Sequence, residues 1–166
     1  MALRPEDLNA VGALCAEGRG GEALALCGRF IAEHPDHPHG YHMRALARVL
    51  LGERRLALPD RDRVVALRPR EPGAFMARAE DHLRLGDFAA AAADLDRAET
   101  LDDGHYWPMI PLLRGHCRAR LGRFDEALAD CARVPEDYLL PGFGAAAPGS
   151  APQLRAEIAT LRAPRA

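Results

Sequence analysis

Helical runs separated by single glycines organise most of this chain. The stretches Tyr41 to Leu51, Phe75 to Leu85 and Leu112 to Leu121 read as helices, each closed by a glycine. Second helical runs follow, clearest over Asp87 to Leu101 and Phe124 to Val134. A glycine between two such runs suits the left-handed position that ends a helix, which glycine alone adopts cheaply. Near the end, Leu154, Ile158 and Leu161 stand at i, i+4 and i+7 and predict one apolar stripe on a short helix.

The punctuation is periodic. Gly18, Gly52 and Gly86 are spaced by 34 and 34 residues, and Gly122 follows 36 later. Ala23, Ala57, Ala91 and Ala127 each lie five residues after a glycine; Val11, Ala45, Ala79 and Gly115 lie seven before. Pro35 and Pro69 keep the same period. Small residues at matched points let two antiparallel helices approach closely. A single hairpin cannot bury its own apolar face, so several must stack.

A charge pattern follows the same register. Arg44, Arg78 and Arg114 stand eight residues before a glycine, and Asp60, Asp94 and Asp130 stand eight after. The first unit has Ala10 and Leu26 there and lacks both charges together. Paired presence and absence predicts an Arg–Asp contact across each hairpin, the guanidinium fork matching the carboxylate. The competing reading is three arginines forming an anion-binding ladder.

Three places break the pattern. Pro59 falls inside the second helix of unit two, where it removes a donor and crowds the preceding turn, so that helix is expected to start late or kink. Two extra residues lie between units three and four, within Asp102 to Pro111, and are expected to displace the fourth unit. Pro141 to Pro152 reads as loop or linker.

These residues resemble the tetratricopeptide repeat (TPR) family of 34-residue helix–turn–helix units, over roughly Glu6 to Leu140. Tyr41 and Phe75 match the aromatic that opens a unit, and Pro35 and Pro69 the closing proline. Unit one departs from the pattern, with Asp7 at the aromatic position and Gly20 at the apolar one filled by Phe88 and Phe124. The resemblance implies an all-α, antiparallel helical-hairpin solenoid of about four units, near 4–35, 38–69, 72–103 and 108–140. A Gly/Ala/Pro linker over 141–151 follows, then a short capping helix or mobile tail over 152–166. It also implies a concave groove lined by the first helices, which takes up a protein or peptide. By register the facing residues include Leu8, Gly12, Cys15 and Ala16; His42, Leu46, Val49 and Leu50; Met76, Glu80, Leu83 and Arg84; Leu112, His116, Ala119 and Arg120. Chaperone-binding members grip a C-terminal carboxylate with lysines and asparagines. This chain has no lysine and one asparagine, Asn9, off those positions.

Composition narrows the chemistry further. All 22 basic residues are arginine, and there is one serine (Ser150) and two threonines (Thr100, Thr160), which disfavours hydroxyl nucleophiles, P-loops and Schiff-base lysines. A net charge of -2 gives no general reason to expect nucleic acid or an anionic membrane. No apolar stretch reaches the roughly 18 residues of a membrane span. The N-terminal residues carry Arg4, Glu6 and Asp7 and show no signal-peptide pattern. Cys15, Cys27, Cys117 and Cys131 form no Cys-x-x-Cys pair and read as reduced, buried hydrophobes, with a Cys15–Cys27 disulfide as the alternative. Arginine without lysine, amid abundant Ala, Gly and Pro, suggests a GC-rich, bacterial coding bias.

The expected function is therefore a non-catalytic adaptor, assembly factor or inhibitor in the cytoplasm, with no cofactor. Its expected contacts are His42, Leu46, Met76, Glu80, Arg84, Trp107, Leu112, His116 and Arg120. Trp107, in the inserted turn, either anchors a partner or folds down to fill the gap. The alternative is a small-molecule or metal-responsive sensor at the turn from His34 to His42, where four histidines and Asp36 crowd into nine residues. Cys117 beside His116 or His82, and Asp102 and Asp103 beside His105, are the candidates for catalysis, the weakest of the three readings. Self-association stays open.

Overall fold

A computed structural model describes residues 3–140 and 146–163. The fold is all-α, a succession of antiparallel helical hairpins ending in a capping helix. A 3-10 helix, Pro5–Ala10, runs into α1, Val11–Ala16. Then come α2, Gly20–Glu33, α3, Pro38–Leu50, α4, Arg54–Leu67, and α5, Pro72–Arg84. The remaining helices are α6, Phe88–Leu101, α7, Met109–Arg120, α8, Phe124–Cys131, and α9, Ala151–Arg162. The chain divides into two compact units, Met1–Asp81 and His82–Ala166, with the boundary inside α5.

One turn joins the helices of every hairpin. Gly18, Gly52, Gly86 and Gly122 have φ of 75°, 78°, 79° and 76°. At each, the next residue's N–H reaches back to the last turn: Arg19 to Leu14 O, Glu53 to Arg48 O, Asp87 to His82 O and Arg123 to Arg118 O, at 2.8, 2.8, 2.9 and 2.8 Å. This is a helix-ending motif in which left-handed glycine lets orphan carbonyls be satisfied. Pro38 and Pro72 open α3 and α5, where a proline's missing N–H costs nothing.

In the first unit, Leu8, Val11, Ala23, Cys27, Phe30 and Ala47 form a buried cluster, with Leu14, Leu24 and Met43 packed on it. Ala45 and Ala57 are fully buried and let α3 and α4 close together. α4 runs unbroken from Arg54 through Pro59 to Leu67, so the expected late start does not occur. Its first turn is held from outside: Arg54 ion-pairs with Asp81, and Arg48 Nη1 donates to Leu56 O at 2.6 Å.

In the second unit, α7 packs against α6, α8 and α9. Leu112, Ala119, Ala127, Cys131, Val134, Ala151, Leu154 and Ile158 form its buried cluster. Ala151, Leu154 and Ile158 belong to α9, which therefore caps α7 and α8. Gly115 permits this approach; a Cβ there would sit 2.8 Å from Leu154 Cδ2. Ser150, the one serine, caps α9 by accepting from Gln153 N–H at 3.5 Å. Of the linker expected over 141–151, residues 141–145 lie outside the described residues, while Leu140 N–H donates to Gly149 O at 2.7 Å. α7 starts three residues earlier than the pattern predicts and α8 ends three earlier.

Two of the arginine–aspartate pairs close inside a unit. Arg44 places Nη2 2.6 Å from Asp60 Oδ1 and Nε 3.0 Å from Oδ2. Arg114 repeats both distances on Asp130. Within the first unit, Arg78 Nη1 donates to Asp62 at 2.8 Å. Arg44 and Arg114 are thus spent on internal carboxylates.

Candidate functional site

The facing positions on first helices differ sharply in how open they are. On α3, His42 is exposed, Leu46 and Val49 are half-buried, and Leu50 is 54% exposed. Successive steps of four put His42, Leu46 and Leu50 on one stripe of the helix. Further along the unit, Met76 is buried and Glu80 half-buried.

His42 has a specific neighbour. Arg61 Nη1 lies 3.3 Å from its Nδ1, and since guanidinium only donates, Nδ1 accepts. Although the residue is exposed, loss of solvation around the ring, then the charges of Arg61 and His39, hold its pKa below the ordinary value. Arg61 in turn donates through Nε to Asp81 Oδ2 at 2.8 Å, and both are buried. The same carboxylate pairs with Arg54.

In the second unit, Arg84 is half-buried and Arg120 exposed, but two expected contacts are closed off. Leu112 is 0% exposed and His116 3%. Leu112 belongs to the core with α9, and His116 Nδ1–H donates to Glu157 Oε2 of α9 at 2.6 Å. Neither is available to a partner on this fold, which corrects the expectation. Register places them on the facing side of α7, and the capping helix, outside the repeat, covers them. His116 also meets the edge of Phe88 at 5.6 Å, and Arg120 lies over the Phe88 ring at 4.7 Å.

Trp107 is 51% exposed. Pro108, Ile110 and Pro111 beside it are buried. Trp107 lines a hollow of about 210 Å³ with Glu99, Asp102, Ile110, Pro111 and Arg133. Nothing in the spacing connects Asp102 with Arg133, because the end of α6 and the turn after α8 come together only in the fold.

The four histidines of the early turn are held separately. His34 Nε2 is 2.9 Å from Leu3 O, and its ring packs on Phe30 at 4.7 Å. His37 stands edge-on to Phe30, and its Nδ1 accepts from His39 N–H at 3.3 Å, capping α3. His37, His39 and His42, with Val64, Arg68 and Glu71, line a hollow of about 260 Å³. Among the described residues, no three His, Cys, Asp or Glu side chains converge as a metal site.

The thiols are free, and those buried are poor nucleophiles. Burial pushes Cys27 up to about 11 and Cys117 up to about 12, so neither ionises near neutral pH. Among the described residues, no helix is long and apolar enough to cross a membrane.

No family model matches the sequence, and no curated protein does. Solved structures match the fold. A crystal structure of MamA aligns over 76% of this chain and 74% of its own, with 16% identity and a TM-score of 0.65. TTC0263, a thermophilic TPR protein of Thermus thermophilus, aligns over 95% and 81%, with 24% identity and a TM-score of 0.58. The TPR domain of P58(IPK) aligns over 94% and 54%, with 18% identity and a TM-score of 0.51. The fold of this chain is tetratricopeptide-like.

Proposed function

We propose that this tetratricopeptide-like chain is a non-catalytic protein- or peptide-binding module, acting in the cytoplasm as adaptor, assembly factor or inhibitor. The observation that carries the reading is the α3 stripe. Leu50 leaves 54% of its surface in water beside His42 and Leu46, although the unit has a complete core elsewhere. Exposed apolar surface of this kind favours burial against a partner. Glu80, Arg84 and Arg120 add polar contacts, and Trp107 an aromatic one. Leu112 and His116 are left out because α9 already covers them. High thiol pKa values and a serine engaged in capping leave little basis for covalent catalysis.

The test compares wild type with Leu50→Asp and with Leu46→Asp/Arg84→Glu in pull-downs, with helicity checked by circular dichroism. A partner held by wild type and lost by equally helical variants supports the reading. The same partners captured by all three proteins refute it.

The sensor alternative has the hollow bordered by His37, His39, His42 and Arg68 as its candidate site, although among the described residues no three metal-ligating side chains converge there. On that reading nickel or zinc raises the melting temperature, and His42→Ala abolishes the rise. An unchanged melting temperature removes it.

A further inference from the structure

Three histidines border one hollow in the first unit, and neighbours fix the proton on two of them. His42 Nδ1 lies 3.3 Å from Arg61 Nη1 and accepts from it, because guanidinium only donates. His37 Nδ1 accepts from His39 N–H, also at 3.3 Å, while its ring stands edge-on to Phe30. A neutral imidazole whose Nδ1 accepts carries its hydrogen on Nε2. Both rings therefore keep Nε2–H as a donor. That of His37 is not shut away from solvent, and the His42 ring is exposed.

This arrangement selects an acceptor as guest. A histidine that ligates a metal offers a lone pair from one nitrogen and donates through the other. In His37 and His42 the Nδ1 lone pair is already taken and Nε2 holds the hydrogen, so metal binding would cost both existing bonds.

Charge then narrows the acceptor. Arg68 Nη1 donates to Glu71 Oε2 at 3.1 Å, so these two lining charges largely cancel. Asp36, beside His37, is taken by Arg63 at 2.9 Å. Behind His42 the balance is positive, because Arg54 and Arg61 share the single carboxylate of Asp81. His42 registers that excess. Loss of solvation, then Arg61 and His39, lower its pKa, and the opposing pull of Glu71 does not reverse the balance. Pro38 and the buried Val64 add apolar wall for a guest's methylenes. At about 260 Å³ the hollow is smaller than the roughly 300–1,000 Å³ of drug-sized ligand sites, which suits one side chain.

We propose that this hollow takes an acidic side chain of the protein partner, its carboxylate accepting from the Nε2–H groups of the histidines that line it. His42 also heads the α3 stripe, so the acidic contact adjoins the apolar one on Leu46 and Leu50. The proposal rests on the protein-binding reading and adds the chemistry of one contact.

The experiment titrates the full chain at neutral pH with Ac-Gly-Glu-Gly-NH2, and separately with its glutamine counterpart. The ring C–H signals of His37, His39 and His42 are followed by NMR. The glutamate peptide is expected to shift the His37 and His42 signals saturably, in the millimolar range. Glutamine, of the same shape without the charge, binds about tenfold more weakly. His37→Asn keeps a side chain suited to capping α3 but removes one donor, and weakens the glutamate response read on His42. Equal responses to glutamate and glutamine, a response that never saturates, or a folded His37→Asn protein that binds glutamate unchanged overturns the proposal. Inorganic phosphate binding more tightly than the glutamate peptide overturns the carboxylate assignment. Zinc binding at these rings with no glutamate response overturns it in favour of the sensor. The glutamine comparison uses wild type alone and does not depend on the variant folding. A failed titration beside a pull-down that depends on Leu50 sinks only this inference; a positive titration with no such dependence sinks only the α3 stripe.

Discussion

Arg114 on α7 grips Asp130 on α8 through two donors, at 2.6 and 3.0 Å, with both side chains almost wholly shielded from solvent. One turn further along α7, Arg118 adds a third donor to the same carboxylate at 2.8 Å. The hairpin of α3 and α4 repeats the arrangement, with Arg44 and Arg48 on Asp60. These aspartates sit where the two helices of a hairpin face each other, so they lock pairing while the alanines set spacing. Two of the three arginines that an anion ladder requires, Arg44 and Arg114, are neutralised inside the fold.

Removing such a carboxylate strands buried positive charge. Asp130→Ala is expected to cost about 3–5 kcal/mol in chemical denaturation. Asp62→Ala breaks a bond of similar length, Arg78 Nη1 to Asp62 Oδ1 at 2.8 Å, but Asp62 is largely exposed. Its loss is expected to stay within about 1 kcal/mol. Equal losses at the two sites show that burial does not control these pairs.

Packing of α9 on α7 is tested by size. Leu154 is fully buried, and Leu154→Ala is expected to cost about 2–5 kcal/mol. Gly115→Ala introduces a methyl 2.8 Å from Leu154 Cδ2 and is expected to cost about 1–3 kcal/mol. The double variant loses less than the sum, because the shortened side chain makes room for the methyl. Strict additivity in thermal unfolding contradicts this contact.

His42 makes stability depend on pH. Its folded pKa lies below the ordinary 6.5, so the unfolded chain takes up the proton first as pH falls. The contribution of the neutral ring is present above 6.5 and is lost as pH falls toward the depressed folded value. Wild type should therefore lose stability on acidification through this window, and His42→Gln should flatten that part of the profile. Melting curves across the window check it; parallel profiles refute it.

Thiol reactivity should follow burial. Cys15 is the one cysteine of intermediate exposure, and Cys27, Cys117 and Cys131 are buried. Alkylation followed by mass spectrometry is expected to modify Cys15 first and Cys117 last, since Cys117 is pushed up to about 12. Early labelling of Cys117 in the folded chain contradicts its placement in the core.

Much of the fold was legible from spacing because its determinants are local. A left-handed glycine closes its turn within six residues, and a hairpin brings positions 16 apart face to face, as Arg44 meets Asp60 and Arg114 meets Asp130. Pro59 misled for the complementary reason. Its cost is local, whereas contacts from Arg48 and Asp81 hold the α4 start from elsewhere.

The sequence by itself therefore determined the helices, the glycine turns and the hairpin pairing, since each depends on residue type and short spacing. Only the tertiary structure decided what is open. Leu112 shares the register of His42 and Met76, and His116 that of Leu46 and Glu80, yet both are sealed by α9, where Glu157 reaches His116 across 41 residues. Asp81 acquires Arg54 and Arg61 from α4, and Asp102 comes to share a hollow with Arg133 and Trp107. Exposure belongs to whatever packs against a residue, and no repeat spacing encodes a neighbour that lies outside the repeat.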